Sequence, residues 1–105
     1  MNDRRKGWKM TQITLVSTEN GSIKGLVASA LSDRERELKL AIRRTELKLV
    51  DLEERYALST QEFLAMFAQN QLQHSDDFDE WVGESRMLAH LQNKLARLQG
   101  IQIVD

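Results

Sequence analysis

Leu38, Ile42, Thr45, Leu49, Leu52 and Tyr56 follow one another at alternating steps of four and three, and only Thr45 breaks the apolar run. That spacing places them on one side of an α-helix, and Leu31 extends the same stripe backward. It predicts a helix over 33–57 built to lie against other helices. Leu40, Leu47 and Val50 form a second stripe beside the first. Two stripes point to more than one neighbour, whereas a simple two-stranded coiled coil has a single seam.

The flanking patterns complete the expected architecture. Residues 11–17 are rich in β-branched types and set Ile13 and Leu15 against Gln12, Thr14 and Val16, which predicts a strand. A lone strand leaves backbone donors and acceptors unpaired, so it needs the alternating tail Ile101 to Val104, its own copy in a dimer, or another protein. Ile23, Leu26, Val27, Ala30 and Leu31 predict a helix over 22–31 with Ser22 as N-cap. Ser32 with Glu35 matches a capping box, which predicts a break or bend before the main helix. A second box, Ser59 with Glu62, opens a short helix over 60–69, and Ser75-Asp76-Asp77 opens a last helix over 77–99 that Gly100 ends. The fold class expected is mainly α: a long antiparallel helical hairpin with a short intervening helix and a short N-terminal β-strand. Residues 1–10 are expected to be a basic, flexible head, and residues 11–105 a single helical domain.

Composition narrows the function classes. Charged residues are 30% of the chain, yet the net charge is only −1, which argues against a chain built mainly to hold nucleic acid. The charge is uneven along the sequence. Residues 56–85 contain no Lys or Arg but carry Glu62, Asp76, Asp77, Asp79, Glu80 and Glu84. Cysteine is absent, which removes disulfides and thiolate metal sites. There is no apolar run of membrane-spanning length, and Met1 to Met10 lacks the apolar core of a signal peptide. The expected location is cytoplasmic, with no membrane association.

Few residues suggest chemistry. His74 with Asp76, Asp77, Asp79 and Glu80 lacks the alternation and the glycine of a calcium loop, so no metal site is expected. No phosphate loop, nucleophile elbow or zinc helix is present; catalytic residues and cofactors are expected to be none. Arg34, Arg36, Arg43, Arg44 and Lys48 interleave with Glu35, Glu37, Glu46 and Asp51, the pattern of a solvated helix face with paired charges more than of a phosphate strip. Arg4, Arg5, Lys6, Trp8 and Lys9 are the better candidates for nucleic-acid contact, since an indole stacks on a base while cations meet phosphates. Phe78 and Trp81 amid the acids admit two readings. Either the aromatics anchor a basic partner that the acids steer, or the rings pack on the short helix against Phe63 and Phe67.

Four segments together, Thr11 to Val16, Glu53-Glu54-Arg55-Tyr56, Leu58-Ser59-Thr60-Gln61-Glu62-Phe63 and Asp76-Asp77-Phe78-Asp79-Glu80-Trp81, resemble small helical antitoxin-like proteins of bacterial and archaeal toxin-antitoxin cassettes. The basic head and the tail from Ile101 to Val104 depart from that pattern. The resemblance implies a non-enzymatic protein that binds and occludes a small basic toxin of ribonuclease type, as a homodimer or hetero-oligomer. The partner-binding residues would be Ile13, Leu15, Asp76, Asp77, Phe78, Asp79, Glu80 and Trp81. The alternative is a homo-oligomeric helical structural or adaptor protein with no inhibitory role.

Overall fold

The computed structural model describes residues 11–14 and 23–104. The element order is β1 (Thr11–Thr14), α1 (Ile23–Tyr56), α2 (Thr60–Ala68), α3 (Asp76–Gln99) and β2 (Ile101–Val104). The chain is mainly α, as the periodicity predicts.

The expected break at Ser32 is absent, because α1 runs unbroken from Ile23 to Tyr56. A capping box needs the Glu side chain to turn back onto the cap's backbone. Here the Glu35 carboxylate instead takes Lys39 at 2.9 Å and the Gln99 amide at 3.3 Å. Asp33–Arg36 and Arg34–Glu37, each at 3.1 Å, likewise link successive turns across the same stretch.

The Ser59 box forms as expected: its hydroxyl accepts from Glu62 N–H at 3.0 Å, and Glu62 accepts from Ser59 N–H at 2.9 Å. Ser75 caps α3 by accepting from Phe78 N–H at 3.2 Å. Helix ends are closed by left-handed residues, Ala57 (φ 55°) after α1 and Asn70 (φ 57°) after α2. In each case the following amide reaches back to the last turn, Leu58 N–H to Glu53 O at 3.2 Å and Gln71 N–H to Met66 O at 3.0 Å.

The fold contains two compact units. One holds β1, α1 through Lys39, and the chain from Gln92 onward. Its two strands pair in parallel, Thr11 opposite Ile101 and Thr14 opposite Val104, so the tail is the partner that β1 needed. Parallel strands demand a crossover, and the helices between them supply it. Ile13 and Ile103 share a half-buried face, while Gln12 and Gln102 face solvent. In this unit Leu38 is buried, and Leu38, Leu98 and Ile101 floor a depression of about 250 Å³ rimmed by Arg34, Lys94 and Arg97.

The other unit spans Leu40–Leu91 and holds the larger core. Leu49, Leu52, Phe63 and Trp81 are buried together, with Tyr56, Leu58, Phe67, Phe78 and Leu88 packed around them. Within it α1 and α3 run antiparallel: Lys48 pairs with Glu84 at 3.6 Å, and Arg55, two turns on, pairs with Asp77 at 3.0 Å. Thr45, the polar member of the stripe, is buried because its hydroxyl donates to Ala41 O of its own helix at 3.0 Å.

No helix among the described residues is long and apolar enough to cross a membrane.

Candidate functional site

The chemistry-bearing side chains of the Leu40–Leu91 unit gather where α1 ends and α3 begins. Aromatic residues build that place from inside. Trp81 and Phe63 are fully buried and stacked, with ring centroids 4.0 Å apart. Tyr56 meets Phe78 edge-on at 5.1 Å, and Phe78 lies 5.3 Å from Phe63. The Trp81 indole N–H donates to Thr60 Oγ1 at 3.0 Å, and the Thr60 hydroxyl and amide both donate to Glu53 Oε2 at 2.8 Å. One carboxylate at the end of α1 thus satisfies the start of α2 and, through it, the buried indole.

Asp77 is the second node. It accepts from the Tyr56 hydroxyl and from Arg55, whose guanidinium also reaches Asp51. The Tyr56 hydroxyl and then the Arg55 guanidinium hold the Asp77 carboxyl below its ordinary range. Donation to Asp77 pushes the Tyr56 phenol up, and the Asp77 hydrogen bond also raises Arg55. Glu62 is lowered by the Ser59 backbone amide and then by the Ser59 side chain. A general base near neutral pH needs a raised carboxyl, and a tyrosine acid or nucleophile needs a lowered phenol. Asp77 and Tyr56 are shifted in the opposite senses, which suits a permanent structural hydrogen bond.

Outside this framework lie Asp76, Asp79 and Glu80, all exposed. Asp79 stands 3.5 Å from His74 Nδ1, and His74 rests against the Phe67 ring at 4.9 Å. Glu80 borders an open cleft of about 290 Å³ with Leu47, Lys48, Asp51, Leu52 and Arg55. Among the described residues no group of His, Asp and Glu is arranged to hold a metal ion.

The residues proposed from sequence for partner binding fall into four sets. Asp76, Asp77, Phe78, Asp79 and Glu80 come together on the first turns of α3, with Asp77 already engaged and Phe78 half-buried. Trp81 is a correction to the anchoring role: it has no exposed surface, because its ring completes the core against Phe63. Ile13 belongs to the other unit, half-buried in β1. Leu15 lies outside the described residues, as do Arg4, Arg5, Lys6, Trp8 and Lys9. Of the basic strip on α1, Arg34 and Arg36 pair along the helix face, as the interleaving predicts, whereas Lys48 pairs with Glu84 of α3, and Arg43 and Arg44 make no ion pair among the described residues. The relay from Glu53 through Thr60 to Trp81 was not anticipated, although all three residues sit in the segments singled out from sequence.

Comparison with known proteins matches this chain to no family model, no curated protein and no solved structure.

Proposed function

We propose that this chain is a cytoplasmic, non-enzymatic binding protein of antitoxin-like role, which covers the nucleic-acid-binding surface of a small basic toxin of ribonuclease type. The observation that carries this reading is the exposed carboxylate face of Asp76, Asp79 and Glu80, in a stretch from 56 to 85 that contains no lysine or arginine. Carboxylates on a rigid helix stand in for the phosphates that a basic partner would otherwise bind, and long-range attraction speeds encounter. The aromatic core beneath them keeps the helix in place, so recognition rests on the acids and the half-buried edge of Phe78, with Trp81 as internal support. The resemblance of the four sequence segments to antitoxin-like proteins supports the same role.

The test is co-expression with the product of the neighbouring reading frame, followed by affinity capture at rising salt. A small basic protein should co-purify, its toxicity should be relieved, and the paired change Asp76→Lys with Glu80→Lys should abolish both effects. Capture of no basic partner, or relief of toxicity that survives the charge reversal, would overturn the proposal.

A further inference from the structure

The second stripe of α1 remains uncovered. Leu40, Leu47 and Val50 are 55%, 52% and 44% exposed, although their spacing is that of a helix seam. With Arg43 and Glu54 they form the series Leu40, Arg43, Leu47, Val50, Glu54, in alternating steps of three and four. At about 100° per residue these five side chains fall within an arc of roughly 80°. That is the width of a coiled-coil contact strip, and it lies opposite the stripe that holds Thr45, Leu49 and Leu52, not beside it as expected from sequence.

The charges of the strip are unspent. Arg43 and Glu54 are exposed and make no ion pair among the described residues, while Arg34, Arg36, Lys39, Lys48 and Arg55 all do. On one helix the two are separated by eleven residues, about 16 Å of rise, and cannot meet.

We propose that this strip pairs two copies of the chain, α1 against α1 in antiparallel, about a two-fold axis midway between Leu47 and Val50. In that register each Leu47 faces the Val50 of the second copy. Each Arg43 then stands opposite the second copy's Glu54, once on either side of the apolar centre. The strip is its own complement, as an isologous contact requires. A parallel pairing would set Arg43 against Arg43 and Glu54 against Glu54, so the charge pattern selects the antiparallel arrangement. Three apolar side chains and two reciprocal ion pairs make a small interface, which gives a weak dimer that dissociates on dilution. The acidic residues Asp76 and Glu80 take no part in it, so the inference stands apart from the antitoxin reading.

Sedimentation equilibrium of the full chain over a concentration series tests this. The unaltered protein should shift from monomer to dimer between about 1 and 100 μM, the weak range expected of a small interface. Leu47→Glu should leave it monomeric throughout, with its helical circular dichroism unchanged because the site faces solvent. Arg43→Glu or Glu54→Arg alone should weaken association about tenfold or more, and the two together should restore it to within about threefold, the signature of a direct pair. A monomer at every concentration would overturn the proposal. So would a dimer indifferent to Leu47→Glu, or single reversals that the double reversal fails to rescue.

Discussion

The indole of Trp81 lies flat on the ring of Phe63, with centroids 4.0 Å apart and planes 3° from parallel. Both rings are wholly buried, and the only polar atom of the pair, the indole nitrogen, finds Thr60 Oγ1 at 3.0 Å. Phe63 comes from α2 and Trp81 from α3, so this stack joins the two shorter helices, and Leu49 and Leu52 of α1 close the core around it.

Trp81→Ala should therefore cost about 3–5 kcal/mol, the loss expected when a buried aromatic leaves a cavity. Thr60→Val keeps the shape but strands the indole N–H, at about 1–3 kcal/mol. In a double-mutant cycle by urea unfolding, Thr60→Val should cost less once Trp81 is Phe. Equal costs in both backgrounds would show that the hydrogen bond contributes nothing.

Thr45 offers the reverse case. Among the described residues its hydroxyl bonds only to Ala41 O, a carbonyl that the helix itself already satisfies through Thr45 N–H. Thr45→Val should orphan no polar group and add a buried methyl, raising stability by about 0.5–1 kcal/mol. For a domain of this size 1 kcal/mol corresponds to about 4–8 °C in melting temperature, readily seen by calorimetry.

Ala57 closes α1 in a left-handed conformation, φ 55°, where a β-carbon is disfavoured. Ala57→Gly should stabilise the chain by about 0.5–1 kcal/mol, since relief of that conformation outweighs the added freedom of the unfolded glycine. Chemical unfolding should show a higher midpoint with an unchanged slope.

Acid should weaken the fold through Asp77 and Glu62. Both carboxyls are held below their ordinary values, Asp77 by Tyr56 and Arg55, Glu62 by the Ser59 amide and hydroxyl. Each then binds fewer protons folded than unfolded, so its contribution is complete above the unfolded value and fades as pH falls toward the folded one. The urea midpoint should hold near neutrality and drop through and below the usual carboxylate range. Asp77→Asn should lower the neutral midpoint and flatten that drop; a parallel shift at every pH would contradict the assignment.

Local pattern carried much of this chain. The burial of Leu38, Thr45, Leu49 and Leu52 follows from steps of three and four, because a helix turns a spacing into a face. The Ser59–Glu62 box was equally legible, since its partners lie three residues apart. The proposed partner face was legible only as charge: Asp76, Asp79 and Glu80 stand exposed where the acidic block put them, whereas Trp81 could be assigned to core or surface only once α2 was in place. Tertiary structure likewise decided that Ser32 would continue a helix, and that β1 would take as its partner a tail ninety residues away. It also decided which of the two α1 stripes would be covered. The physical reason is common to these cases: periodicity reports that a face is apolar or a strand unpaired, but only the packed neighbours determine what satisfies it.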